Sequence, residues 1–106
     1  MRIDRISRQE AEDLVRHSLG EGEVIPGRHF REELAEQSLV FEDAWVVLRT
    51  GHVYNEAEPG PKMGEWKYQI EGYEPGGRWL VIVLDLKTVD RTSLVTVFSV
   101  GSRRKT

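Results

Sequence analysis

The chain has 106 residues, 39% of them hydrophobic, and a formal net charge of −3, which is enough for one domain with one small core. Charged residues make up 31% with both signs interspersed, as on a folded surface, and the acidic balance runs against non-specific nucleic-acid binding, which needs a basic surplus. With no cysteine, a disulfide framework, a thiolate metal site and a cysteine nucleophile are all excluded.

The start, Met1-Arg2-Ile3-Asp4-Arg5, has no apolar h-region and predicts no signal peptide. No apolar run approaches about 18 residues, so no membrane span is expected and the expected location is cytoplasmic. The first element is a helix over about Arg8–Leu19. Ser7 with Glu10 three residues on is a capping box, Ala11, Leu14, Val15 and Leu19 form one apolar stripe, and Gly20 is expected as a left-handed C-cap. Val24-Ile25 predicts a short edge strand that Pro26 must end. Helices over about His29–Gln37 and Phe41–Thr50 follow, joined so tightly that a helical hairpin is expected.

His52–Glu56 alternates as a strand, and Pro59–Gly64 is a loop long enough to be mobile. Trp66, Tyr68 and Ile70 alternate with Lys67, Gln69 and Glu71, the pattern of a half-buried strand over Trp66–Tyr73. Glu74-Pro75-Gly76-Gly77 is a hairpin turn. The next strand, Arg78–Leu86, has seven apolar residues in nine and is expected to be covered on both faces; either the first helix or a partner would cover the second face. A longer connection, Lys87–Thr92, leads to a last strand over Ser93–Val100. Residues 101–106 form a polar, basic tail expected to fray. The order predicts one α+β domain over 1–106, with N-terminal helices packed on an antiparallel β-meander of about four strands.

No motif forces a chemistry. His17, His29 and His52 lack metal-ligand spacing, there is no phosphate-binding glycine loop, and no nucleophile elbow occurs. His29 opens a helix, where free N–H groups suit an anion and a His can act as a base; a polar helix start with no task is the alternative. Trp66-Lys67-Tyr68 with Arg78 across the hairpin is a basic and aromatic group that suits RNA, although strand aromatics also serve as core.

The run from His29-Phe30-Arg31-Glu32 to Glu42-Asp43-Ala44 resembles the opening of a family of small bacterial domains of unknown function. Leu48-Arg49-Thr50-Gly51-His52-Val53 matches its helix end, Tyr68, Gly72, Gly77, Arg78, Leu80 and Val81–Val83 its hairpin, and Leu94–Val97 its final strand. The matched part spans 29–100, with residues 1–22 as an N-terminal helical extension. That family is similar to the RelE-like group of ribonucleases and toxin components. The resemblance implies a RelE-like shell, metal-independent RNA cleavage with no cofactor, and His29, Arg78, Lys67 and Tyr68 as catalytic residues. It also implies RNA as a partner, or a protein partner of antitoxin type; a non-catalytic binding module or a homodimer on the same fold is the alternative. The chain departs from the family pattern at Ser38, where glycine is frequent, within Glu36-Gln37, where its second arginine is replaced, and near Ile82, where relatives carry a histidine.

Overall fold

The computed structural model describes residues 4–100; the tail read from the sequence at 101–106 lies outside them. The order is α1 (Arg8–Glu21), β1 (Glu23–Pro26), α2 (Arg28–Glu36), α3 (Phe41–Thr50), β2 (Glu58–Pro59), β3 (Trp66–Tyr73), β4 (Trp79–Thr88) and β5 (Arg91–Val100). The fold is α+β, as expected, but the sheet is not a four-strand meander. It has five strands in the order β1-β5-β4-β3-β2, and β1 joins β5 in parallel, Glu23 against Arg91 through Pro26 against Leu94. No helix among the described residues is long and apolar enough to cross a membrane.

Local chemistry explains most boundaries. Both halves of the capping box form: the Ser7 hydroxyl accepts the Glu10 N–H at 3.1 Å and the Glu10 carboxylate accepts the Ser7 N–H at 3.0 Å. The helix runs past Gly20 to Glu21, so the C-cap is Gly22 and not Gly20. Gly22 is required by close approach, since a Cβ there would lie 2.1 Å from the Asp90 carbonyl oxygen, and the Glu23 N–H bonds that same oxygen at 2.7 Å. The β4–β5 turn thus sets where α1 stops. α2 ends in a Schellman motif, the Leu39 N–H reaching the Leu34 carbonyl at 2.9 Å, with Ser38 at φ 55°. A side chain in the left-handed region is strained, so Ser38→Gly is expected to raise stability by about 0.5–1 kcal/mol, measured by urea unfolding.

The expected helical hairpin does not form as such. α2 packs on β5, whereas α3 packs on β3 and β4 and its main helical neighbour is α1. The expected strand over His52–Glu56 reduces to one bridge, His52 with Glu71. The next ladder pair would fall at Tyr54, whose carbonyl is instead held by Arg8 at 2.8 Å, while the outward-facing Val53 N–H is held by the Glu12 carboxylate at 3.0 Å. The pairing moves on to β2, where Glu58 and Pro59 meet Lys67 and Trp66.

All three helices contribute to one core against one face of the sheet, made by Tyr68, Ile70, Leu80, Ile82, Leu84, Leu86, Leu94 and Val97. The first helix therefore does not cover the second face. β1 stops at Pro26, which would leave the far half of β5 as an open edge, and α2 closes it with side chains. Glu33 accepts the Val97 N–H at 3.0 Å, and Gln37 donates to the Val97 carbonyl and accepts from the Ser99 N–H, both at 2.9 Å. Two residues one helical turn apart here stand in for a strand and block edge pairing.

Candidate functional site

The four residues expected to be catalytic occupy separate places. Tyr68 faces the core at 2% exposure; its hydroxyl accepts the Ile6 N–H at 3.0 Å, and burial pushes its pKa up. Lys67, its neighbour on β3, points to the opposite face and pairs with Asp85 at 3.3 Å, which also holds Lys87 at 2.9 Å. Arg78 sits at the other end of the hairpin, donating to the Gln37 carbonyl at 2.9 Å. Six residues of strand separate Lys67 from Tyr73, about 20 Å. His29 lies in the first turn of α2, 3.4 Å from Glu33, whereas Arg78 meets the far end of that helix, about 12 Å away along the helix axis. The structure brings none of these four into a shared patch. Among the described residues, no group of three His, Asp or Glu is placed to hold a metal.

Arg78 instead helps lock the hairpin tip. The Glu74 carboxylate is buried at 4% exposure and accepts the Arg78 N–H at 2.8 Å, with the Arg78 guanidinium 3.8 Å away. That backbone hydrogen bond, followed by further contributions from Gly76 and Arg78, holds the Glu74 pKa below the usual carboxylate range against the opposing effect of burial. A depressed folded-state pKa stabilises the fold above the unfolded value of about 4.3, and the contribution is lost as pH falls through the folded value. Glu74→Gln is expected to flatten this acid limb, read as urea-unfolding stability against pH below about 5.

None of the three helices among the described residues lies over the second face of the sheet. Register places Tyr73 beside Trp79, Glu71 beside Val81, and Val81 beside Phe98. β4 is nonetheless buried here: Trp79 is 4% and Val81 1% exposed, while Tyr73 and Phe98 stand at 50% and 38%. Tyr73 from β3 and Tyr54 from the segment after α3 pack on Trp79, and Phe98 of β5 stands beside Val81. The expectation that both faces of β4 are covered holds at the level of side chains and not of whole elements.

A pocket of about 230 Å³ opens at the β3 edge of this face. It is lined by Tyr54, Glu71, Tyr73, Trp79 and His52 together with Thr50 and Gly51 at the C-terminal end of α3. Tyr73 meets Trp79 edge to face, with centroids 4.9 Å apart and planes at 82°, and Tyr54 lies 6.2 Å from Trp79 at 36°. The Trp79 indole N–H donates to the fully buried Glu71 carboxylate at 3.0 Å. Strand alternation carries a signal for part of this site: Glu71 and Tyr73 share a face, and the turn at Glu74–Gly77 sets Tyr73 opposite Trp79. Tyr54 gives no such signal, because it lies in an irregular segment positioned by long-range contacts. Its carbonyl is fixed by Arg8 at 2.8 Å.

No protein-family model, curated protein or solved structure matches the chain. The likeness to RelE-like ribonucleases therefore rests on the residues quoted for it.

Proposed function

We propose that the chain is a non-catalytic binding module that holds a protein partner on the helix-free face of its sheet. The observation that carries this reading is the aromatic surface of that face, where Tyr73 and Phe98 stand half-exposed over the buried Trp79 and Val81. Exposed aromatic side chains beside a desolvated centre are the composition of a protein interface. The RNA-cleaving reading draws on sequence spacing, and it needs His29, Arg78 and Lys67 or Tyr68 to act on one phosphate.

The test places a photo-crosslinking amino acid at Phe98, with Arg31 on α2 as the control position, in cells that express the full chain. Adducts at Phe98 and none at Arg31 are expected, and an adduct of twice the chain mass would identify a second copy as the partner. Adducts at neither position would overturn the reading. So would cleavage of a generic RNA in EDTA that is lost in both His29→Ala and Arg78→Ala, which would restore the RNA-cleaving reading.

A further inference from the structure

We infer that the groove between the first turns of α1 and the β4–β5 turn is a docking site for a basic amphipathic helix of a protein partner. It lies at the opposite end of β5 from Phe98, and it stands independently of the reading above. The groove has a volume of about 350 Å³ and is lined by Ile6, Glu10, Asp13, Leu14 and Val89. Ile6 and Leu14 are only partly buried where they pack against the core, and Val89 is 57% exposed. Val89 sits in the turn between two strands, where Gly, Asn, Asp or Ser is the usual choice. Turn chemistry therefore does not account for an apolar, β-branched residue at that place. The groove is also formed in advance. The Ile6 N–H is held by the Tyr68 hydroxyl at 3.0 Å, and His17 Nε2 lies 2.7 Å from the Asp90 carboxylate, which ties the turn to α1. A site fixed beforehand loses less free energy to ordering when a partner arrives.

Charge narrows the class of partner. Glu10 and Asp13 line the groove one helical turn apart on α1. Glu10 accepts the Ser7 N–H and Asp13 accepts from the Gln9 amide, both at 3.0 Å, and neither meets a cation among the described residues. The cations nearest in sequence are engaged elsewhere. Arg5 and Arg8 both pair with Glu56, at 3.4 and 3.1 Å, and His17 lies between Asp90 and Glu21. Glu10 is in the first turn of α1, where the positive end of the macrodipole offsets part of its charge; Asp13, beyond that turn, has no such offset. An apolar groove with two carboxylates one turn apart matches a helix that inserts an aliphatic side chain and sets lysine or arginine at helical spacing. A neutral apolar segment would cover the carboxylates without a counter-charge, and an acidic one would meet repulsion.

The experiment titrates the full chain with an amphipathic leucine–lysine helical peptide and, separately, with the same peptide bearing glutamate in place of every lysine. The methyl resonances of Ile6, Leu14 and Val89 are followed by two-dimensional NMR. The lysine peptide is expected to shift these resonances saturably, with an affinity that falls as salt is raised, and the glutamate peptide to leave them unmoved. Asp13→Asn is expected to weaken binding about two- to fivefold, the scale of one exposed ion pair. Val89→Ser, a substitution that suits the turn, is expected to weaken it about tenfold through lost apolar contact, with the remaining resonances confirming that the variant is folded. Glu21→Gln removes a carboxylate from the same helix outside the groove and is expected to leave the affinity unchanged. Shifts spread over the acidic surface without favouring Ile6, Leu14 and Val89, equal binding of the glutamate peptide, full affinity in Val89→Ser, or a loss in Glu21→Gln as large as in Asp13→Asn would each overturn the proposal. The titration needs no partner on the helix-free face, so adducts at Phe98 without peptide binding would remove the groove and leave the binding reading. Peptide binding without adducts would do the reverse.

Discussion

Phe30→Ala is expected to destabilise the chain by about 3–5 kcal/mol, a large part of the roughly 5–15 kcal/mol that holds a domain of this kind together. Phe30 is fully buried, and it shares the apolar side of α2 only with Leu34. These two residues press the helix onto β5, and that position lets Glu33 and Gln37 satisfy the backbone of Val97 and Ser99. Loss of the ring therefore removes packing and also frees the edge of β5 beyond Leu94. The expected result is a lower urea midpoint together with concentration-dependent association in light scattering, because an uncovered edge is a template for pairing. Gln37→Ala separates the two effects. It leaves the core intact and is expected to promote association at a much smaller stability cost, about 1–2 kcal/mol for the lost hydrogen bonds.

Glu12→Ala is expected to cost about 2–4 kcal/mol, through an orphaned buried donor and a broken ion pair. Glu12 is buried on the inner side of α1 at 8% exposure, an unusual place for a carboxylate. One oxygen accepts the Val53 N–H at 3.0 Å, and the other lies 3.2 Å from His52 Nδ1 and 3.4 Å from Arg16 Nη1. Arg16 in turn caps the end of α3. One acidic residue thus joins α1, the end of α3 and the segment leading to Tyr54. The drop is expected as a fall of roughly 10–20 °C in the melting temperature. Glu12→Gln, which keeps an acceptor for the Val53 N–H, is expected to lose about half as much stability.

Features set by neighbours in the chain were legible in the sequence. Ser7 and Glu10 announce the start of α1, Pro75-Gly76-Gly77 announces the hairpin, where Gly77 takes φ 94°, and alternation from Trp66 onward announces β3. Features set by distant partners were not. The β1–β5 pairing joins residues 68 apart, as in the Arg91–Glu23 ion pair, and nothing local in Val24-Ile25 specifies that strand direction. His52–Glu56 alternates like a strand, yet an arginine 46 residues earlier takes the Tyr54 carbonyl that the next ladder pair would use. The relative placing of the residues expected to be catalytic has the same origin. Lys67 opens β3 and Arg78 follows the turn after it, so they stand at opposite ends of one hairpin, and Tyr68 was legible as a core aromatic from the alternation that also suggested a platform.

The position of β5 between β4 and β1 has a consequence for biosynthesis. The last of the described strands is the one that both earlier parts of the sheet require: β4 pairs with it on one side, and β1, completed more than sixty residues sooner, has no other neighbour among the described strands. While the chain emerges from the ribosome, β3 and β4 can form a hairpin and α1 can coil, but β1 and α2 must wait with Val24, Phe30 and Leu34 uncovered. Closure of the domain is thus a late, non-local and comparatively slow event, and the nascent protein is most exposed to misassociation just before β5 is made.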